Sequence, residues 1–406
     1  MRNFTLSTTL LALATLITAC GGSGNDPKST IAVIGDMPYG TSPTDTAQFL
    51  ASPAFINSIN SDSDVSLVLH AGDIHSGKEY CTEAYDVSVY NQWKAYKYPV
   101  VYTPGDNEWT DCHKKKEGGG AYNAATGLID YVVDASGNRI DYAGGDPVAN
   151  LGLVRSIFFA SPGKTLGASM NVHAQAQEYD AAHPSDSNYV ENVWFEKSNV
   201  LFLTLNIPGG SNNDTDPWYG APSMSPAQTQ EVANRSAATL RWLDTAFKKA
   251  SANGDVAVVI TVQADMWDID GAATGAAHLT QYKPFIDSIA SNTKSFGKPV
   301  LLFNGDSHVY RSDNPLVAGA SCVIEPASGA SALACSSSSM PAGSNNPADP
   351  YSNQPNGYNV PNFHRIVVHG STTPLEYLKL TIDPNVNAAS GPDAFGPFSW
   401  KRVQPS

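Results

Sequence analysis

Short apolar runs alternate with amphipathic segments along much of this chain. Runs rich in Val and Ile predict buried strands, and longer segments with apolar residues three and four positions apart predict helices. The predicted strands cover residues 30–36, 65–71, 99–103, 190–195, 200–205, 256–262, 299–304, 363–369 and 375–383, and the predicted helices cover residues 44–60, 84–97, 150–159, 226–252 and 279–293. The regular alternation near the start favours an α/β fold with parallel pairing of strands.

Four of the predicted strands run into a Gly-Asp pair. The aspartates are Asp36, Asp73, Asp106 and Asp306, and His308 follows the last of them by two residues. In an open α/β sheet the ligand site lies beyond the carboxyl ends of the strands, so these side chains are expected around one point. Crowded carboxylates repel one another unless a cation holds them, and carboxylate with imidazole is a ligand set for divalent metals. The pattern therefore predicts a metal site.

Gly-Asp is also a common turn dipeptide. Gly145-Asp146 and Gly254-Asp255 occur in this chain with no site implied. A single Gly-Asp after a strand would favour a turn over a ligand. Four strand ends of this kind, one of them with a histidine nearby, favour ligands.

The composition is that of a folded acidic protein. The chain has 406 residues, 42% of them hydrophobic, which is enough for one large domain with a sizeable core. Its 24 Lys+Arg against 38 Asp+Glu give a formal net charge of −14. Such a balance argues against general nucleic-acid binding. We find no linker of domain scale, and we expect a monomer.

The N-terminus reads as a targeting segment. Arg2 supplies a positive charge, and residues 10–17 form an apolar stretch that is too short to span a bilayer. The sequence that ends at Cys20 resembles a bacterial lipobox, which implies that residues 1–19 are a signal peptide and that Cys20 carries lipid. Gly-rich residues 20–29 then form a tether. The expected location is a bacterial membrane, on the periplasmic or cell-surface side, with the outer membrane favoured. An ordinary signal peptide is the alternative.

Four further cysteines favour disulfides, because an exported protein with an even count seldom keeps free thiols. Three pairings are possible for Cys81, Cys112, Cys322 and Cys335. We prefer Cys81–Cys112, because both follow Gly-Asp strand ends and lie on loops at the same end of the sheet. Cys322–Cys335 would close a short loop. The absence of any CxxC pair argues against a zinc site of cysteines.

The predicted organisation is one domain over residues 30–385 with a C-terminal tail over residues 386–406. Insertions are expected at 114–147, 208–226 and 320–358, where loop-forming residues interrupt the alternation of strands and helices. The first insertion begins with the basic run Lys114-Lys115-Lys116. Such a run is usually a solvated surface turn. The other interpretation is a basic rim for an anionic substrate.

The order of the motifs resembles that of the calcineurin-like metallophosphoesterases, including the purple acid phosphatase branch, over roughly residues 30–312. The motifs that carry the resemblance are Gly35-Asp36, Gly72-Asp73, Gly105-Asp106-Asn107-Glu108, Val262-Gln263 and Gly305-Asp306-Ser307-His308. The resemblance implies an α/β/β/α sandwich of two mixed sheets flanked by helices. It makes the chain a divergent bacterial lipoprotein member of that superfamily.

The resemblance also implies two divalent metal ions. Asp36, Asp73 and His308 match family ligands of one metal, with Asp73 bridging to the second. The family gives the second metal Asn, His and His, where this chain has Asp106, Gln263 and Asp306. These replacements can still coordinate, and they make the second site rich in oxygen. Such a site suits Mn²⁺, Mg²⁺, Ca²⁺ or Fe better than Zn²⁺.

The leaving-group histidine of the third family motif is Asn107 here, a candidate catalytic residue that is no acid but is expected to donate a hydrogen bond to a phosphoryl oxygen. His75 is a candidate for the missing role, although a histidine in a turn is often simply exposed. Tyr39 would bring a phenol near the first metal, or it packs as an ordinary tyrosine. The candidates for substrate binding are His113, Arg155 and Arg311, which are otherwise surface or ion-pair residues.

The leading functional hypothesis is hydrolysis of a phosphomonoester or phosphodiester by a metal-activated hydroxide. The partner is then a small phosphate ester. The competing hypothesis is a non-catalytic, metal-stabilised binding lipoprotein on the same scaffold. The altered third motif favours the second hypothesis, and the retained oxygen ligands favour the first.

Overall fold

The computed structural model describes residues 27–212, 216–267, 280–317, 320, 322–325, 333–334, 358–371 and 374–405. The predicted signal peptide, Cys20 and Cys335 lie outside these residues, as does most of the predicted insertion 320–358. Two large mixed sheets flanked by helices form the described part of the chain, which confirms the predicted fold class. Among the described residues, no helix is both long and apolar enough to cross a membrane.

The strands follow the apolar runs closely. They are β1 (Ser29–Ile34), β2 (Val65–His70), β3 (Pro99–Tyr102), β4 (Gly120–Asn123), β5 (Leu128–Tyr131), β6 (Leu166–Gly167), β7 (His173–Ala174), β8 (Val193–Lys197), β9 (Val200–Thr204), β10 (Ala257–Thr261), β11 (Val300–Asn304), β12 (Arg311–Asp313), β13 (Val323–Ile324), β14 (Leu333–Ala334), β15 (Phe363–Val367), β16 (Tyr377–Ile382), β17 (Ala394–Phe395) and β18 (Phe398–Val403).

The helices follow the amphipathic segments, with two short additions. They are α1 (Ala47–Ser61), α2 (Glu83–Trp93), α3 (Pro147–Phe158), α4 (Gln175–Glu178), α5 (Gly209–Asn212), α6 (Pro226–Asn253) and α7 (Lys283–Phe296). The two Gly-Asp pairs without an implied site are helix caps. Asp146 accepts a hydrogen bond at the start of α3, and Gly254 ends α6 with a φ of 82°.

The parallel strands lie at the centre of each sheet. In the described residues, the first sheet has the order β17-β18-β16-β1-β2-β3-β6, and the second has the order β14-β13-β12-β15-β11-β10-β9-β8-β7. Strands β1, β2 and β3 run parallel, as do β9, β10, β11 and β15. Antiparallel strands complete the edges. The carboxyl ends of β1, β2, β3 and β11 therefore come to the same end of the sandwich.

Alternating side chains of each strand pack on opposite faces, as the two-residue period of a strand requires. Ile31 and Val33 of β1 lie between the two sheets, whereas Ala32 and Ile34 pack toward the helices. The outer layers contain α1, α2 and α3 on the first sheet and α6 and α7 on the second. These layers are the predicted α/β/β/α sandwich.

Some segment boundaries need correction. Residues 386–406, predicted as a tail, contribute β17 and β18 to the first sheet, because β18 pairs with β16 along its whole length. The insertion 114–147 contains the β4–β5 hairpin, and the insertion 208–226 begins with α5. A disulfide joins Cys81 to Cys112, as predicted. Cys322 is also disulfide-bonded, and its expected partner Cys335 lies outside the described residues.

Candidate metal centre

Four tight turns bring the predicted ligands to one end of the sandwich. Asp36, Asp73, Asp306 and His308 all have left-handed backbone, with φ between 52° and 75°. Non-glycine residues rarely adopt this conformation, and it occurs where a site fixes the direction of a side chain. The backbone N–H of Asp306 donates to Asp36 Oδ1 at 2.8 Å, which joins the end of β11 to the end of β1.

Asp36, Asp73 and His308 form a compact ligand set. One ligand atom from each lies within 4.8 Å of the other two. Asp36 is fully buried, and its Oδ2 has no hydrogen-bond partner among the described residues. Burial raises the pKa of Asp36 and of Asp73 well above the usual range, and repulsion from Asp106 adds to both shifts. A divalent cation would reverse this penalty, so the residues present fit a metal ion.

Tyr39 and Asn107 hold the Asp73 carboxylate from one side. The Tyr39 hydroxyl donates to Asp73 Oδ2 at 2.7 Å, and Asn107 Nδ2 lies 3.1 Å from the same oxygen and 3.0 Å from the Tyr39 hydroxyl. The ring of Tyr39 also meets that of His308 edge-on at 5.2 Å. The structure therefore places Tyr39 directly at the site.

The remaining predicted ligands lie on the other side of Asp73. Gln263 Nε2 lies 3.1 Å from Asp73 Oδ2 and 3.2 Å from Asp106 Oδ1. Asp306 Oδ2 accepts the backbone N–H of Asp265 at 2.9 Å. A Cβ at Gly209 would lie 2.3 Å from Asp106 Oδ2 and 2.8 Å from Asp306 Oδ1, so both carboxylates approach the start of α5. Burial and repulsion from Asp111 raise the pKa of Asp106 to about 7.

An open cavity of ≈ 380 Å³ lies over these groups. Asp73, Asp106, Asp306 and His308 contribute to its floor, and Lys78 and Lys116 contribute to its rim. Lys116 belongs to the basic run of the first insertion, so the structure places part of that run on the substrate side. Sequence reasoning missed Lys78, which has no motif around it.

His75 does not line this cavity, contrary to its predicted role. It is fully buried, its Nε2 lies 3.7 Å from Cys81 Sγ, and its Nδ1 meets the Ser76 carbonyl at 3.3 Å. Burial lowers its pKa to about 4. His75 therefore lies in the protein interior beside Cys81, outside the lining of the cavity.

None of the three predicted phosphate contacts lines this cavity, and each has a partner within the protein. Arg155 makes a paired contact with the buried Glu191, at 3.0 and 2.6 Å. Arg311 pairs with Asp313 at 3.5 Å. His113 lies 2.6 Å from the Thr110 carbonyl and 3.5 Å from an oxygen of Asp216. All three are structural residues in this fold.

The family follows from a match over half of the chain. Residues 29–231, half of the 406, match the model of the calcineurin-like phosphoesterase family. The chain belongs to this family. Calcineurin-like phosphoesterases are metal-dependent enzymes that act on phosphate esters, and the Asp36, Asp73 and His308 set is consistent with such a metal site.

No curated protein matches the chain. Among solved structures, it is similar to purple acid phosphatase PPD1 from yellow lupin (Lupinus luteus) seeds, with a TM-score of 0.39 and 12% identity. The match covers 93% of this chain and 54% of the plant protein, so the chain spans about half the length of that phosphatase. Membership of the calcineurin-like family rests on the family match alone.

Proposed function

We propose that this protein hydrolyses phosphomonoesters or phosphodiesters with a bound metal ion. The observation that carries the proposal is the cluster of Asp36, Asp73 and His308, because two of its members, Asp73 and His308, line an open cavity whose rim holds two lysines. Carboxylates alone would repel a phosphate ester. A metal at the floor and ammonium groups at the rim would make the same cavity attractive to one.

Asp36, Asp73 and His308 would hold the metal ion. Bound there, it would lower the pKa of a coordinated water and offset the negative charge of the phosphate. Asp36 and His308 approach from the ends of different strands, and the backbone N–H of Asp306 fixes the direction of the Asp36 carboxylate. The protein therefore presents the ligands already oriented, which limits reorganisation on metal binding.

The side chains around the cavity divide into binding and positioning groups. Lys78 and Lys116 are exposed at the rim, where they would attract the phosphate of a substrate. Both hydrogens of the Asn107 amide face partners within the protein, namely Tyr39 and Asp73. We therefore assign Asn107 as a positioning residue for Asp73, in place of the direct phosphate contact predicted from the sequence.

Neither of the two residues predicted for the role, His75 and Asn107, supplies an acid for an alkoxide leaving group. His75 faces the disulfide, and Asn107 carries no titratable proton. We expect esters with acidic leaving groups, such as aryl phosphates, to react much faster than alkyl phosphates, because they depart without protonation. The same observation favours the second candidate, a non-catalytic metal-binding lipoprotein.

An activity assay separates the two candidates. The metal-stripped protein is supplied with Mn²⁺, Mg²⁺, Ca²⁺, Fe²⁺ or Zn²⁺ singly and tested on aryl and alkyl phosphomonoesters and phosphodiesters. Metal-dependent turnover that is lost in Asp73→Asn would establish the enzyme. Metal binding without turnover on any ester would favour the binding lipoprotein.

We also propose that the mature protein is anchored to a bacterial membrane through Cys20, with the catalytic domain on the periplasmic or cell-surface side. The proposal rests on the lipobox-like sequence before Cys20. Incorporation of labelled palmitate by the wild type, and its loss in Cys20→Ser, is the expected result. Secretion without label would instead indicate an ordinary signal peptide.

A further inference from the structure

Gln263 lies where the family places a histidine ligand, just after β10 and fully buried. Its amide nitrogen donates to Asp73 at 3.1 Å and to Asp106 at 3.2 Å. Its amide oxygen accepts the backbone N–H of Gly209. The nitrogen and the oxygen of the amide therefore join three parts of the site, namely Asp73, Asp106 and Gly209.

The orientation of this amide is determined by its partners. The Gly209 N–H can only donate, so the group facing it must be the oxygen of Gln263. A rotated amide would set its oxygen against two carboxylates and its NH₂ against a backbone N–H, and three hydrogen bonds would be lost. Gln263 thus presents NH₂, which cannot bind a metal, to the carboxylate oxygens that a second ion would need.

Packing keeps the side chain in this position. A Cβ on Gly72 would lie 2.6 Å from both Cβ and Cγ of Gln263, so the side chain lies directly on the backbone of the Gly72-Asp73 turn. Gly72 has a φ of 92°, which favours glycine. This close contact restricts the movement of the Cβ and Cγ atoms of Gln263.

The two sides of Asp73 differ in this respect. On the Asp36 side, the buried Oδ2 of Asp36 has no hydrogen-bond partner among the described residues. On the Gln263 side, Asp106 Oδ1 receives the amide of Gln263, and Asp73 Oδ2 accepts from this amide in addition to Tyr39 and Asn107. Within the described part of the chain, Asp36, Asp73 and His308 are the one metal-sized group of three such ligands, and Asp106 and Asp306 are not part of it.

We propose that the Gln263 carboxamide occupies the place of the second metal ion, so that this protein binds a single ion between Asp36, Asp73 and His308. The proposal rests on the metal site of the proposed function. It replaces the two ions that the family resemblance implied. Gln263 is then a positioning residue that holds Asp73 and Asp106 in place without a second cation.

The test counts bound metal. The purified full chain is saturated with Mn²⁺, freed of excess ion by gel filtration, and measured for Mn per chain and for its electron paramagnetic resonance spectrum. We expect one Mn²⁺ per chain and the six-line spectrum of an isolated ion. Two Mn²⁺ per chain with the spectrum of an exchange-coupled pair would overturn the proposal.

Gln263→Glu replaces the amide NH₂ by a carboxylate oxygen in a side chain of the same shape. We expect the variant protein to bind two ions. Gln175→Glu is the matched control, because Gln175 is also buried and donates to an aspartate, Asp186 at 3.3 Å, away from the cavity. It should keep one ion. A Gln263→Glu protein that also keeps one ion would contradict the blocking role of the amide. Should that variant fail to fold, the wild-type count decides alone.

Hydrolysis is measured on the same samples, which separates this proposal from the proposed function. One ion without turnover would support the role of Gln263 and oppose the enzyme. Two exchange-coupled ions with turnover would oppose the role of Gln263 and support the enzyme. A wild type that retains no Mn²⁺ would overturn both.

Discussion

Two pairs of buried aspartates lie at the same end of the sandwich, and they are neutralised in different ways. Asp265 and Asp313 share the guanidinium of the fully buried Arg365, with contacts of 2.5 and 2.8 Å. Asp36 and Asp73 have no such cation among their described contacts. The fold supplies a positive charge to one pair, and we propose that an ion from solution supplies it to the other.

The pKa shifts follow this difference. Burial acts to raise the pKa of Asp313, but the charges of Arg365 and Arg311 outweigh it and lower the pKa. Burial raises the pKa of Asp36 well above its usual range, with repulsion from Asp106 adding to it. Buried carboxylates alone therefore do not mark a metal site. The missing internal cation distinguishes the functional pair from the structural one.

The largest effect is expected from Asp36→Asn. This change removes a metal ligand, so kcat/KM on an aryl phosphate should fall at least about 10³-fold, or about 4 kcal/mol in activation free energy. The metal-free variant should be no less stable than the wild type, because a buried carboxylate has been removed. Activity and urea unfolding are measured together. A variant with near-normal activity would contradict the assignment of Asp36.

Arg365→Met breaks the other pair. Asp265 then stays buried without its cation and Asp313 keeps only Arg311, so the free energy of unfolding should fall by about 3–5 kcal/mol. Added metal should not restore it, because this pair does not bind the ion. Arg139→Met is the control, since Arg139 is exposed and should change stability by about 0.5 kcal/mol or less. Equal losses in the two variants would show that Arg365 is not the internal cation.

Asp141 extends the comparison to a buried carboxyl group that keeps its own proton. Burial raises its pKa to about 8, although a hydrogen bond from the Cys81 backbone opposes the shift. The folded state then holds a proton that the unfolded state loses above its pKa of 3.8. Stability should fall as pH rises from about 4 to about 8.

Asp141→Asn removes this loss of stability at high pH, because asparagine does not titrate. Compared with the wild type, the variant should gain on the order of 2 kcal/mol in unfolding free energy at pH 8 and little near pH 4, as measured by urea titration at both values. Asp130→Asn, on the exposed β5 strand, should show no such pH-dependent gain. If variant and wild type differ in unfolding free energy by the same amount at both pH values, the effect of Asp141 does not arise from its titration.

The smallest effect is expected at the rim. Lys116→Ala removes one cation from the cavity, so KM should rise about five- to tenfold with kcat nearly unchanged, as for the loss of about 1 kcal/mol of binding. Lys115→Ala is the matched control, because Lys115 is exposed but does not line the cavity. Similar KM values in the two variants would indicate that the rim charge does not select the substrate.

Much of this site could be predicted because it follows from strand direction. The aspartates come directly after apolar runs, and parallel strands bring those ends together whatever the loops do. The same reasoning from local sequence predicted the Cys81–Cys112 disulfide and the α/β fold class. These features need no knowledge of which distant residue touches which.

Other features depend on distant contacts and could not be predicted. His75 follows Asp73 by two residues, but its side chain is buried beside Cys81. The orientation of Gln263 depends on the N–H of Gly209, more than fifty residues earlier in the chain. Arg155 resembled a phosphate contact because its partner Glu191 lies far along the chain and was not evident from spacing.

The most direct test of metal binding at Asp36 and Asp73 compares unfolding free energies with and without saturating Mn²⁺, in the wild type and in Asp73→Asn. Metal that binds only the folded state should stabilise the wild type by about 2.7 kcal/mol at a hundredfold excess over Kd. Asp73→Asn should gain little. A wild type that gains nothing, or a variant that gains as much, would contradict the metal centre on which this account depends.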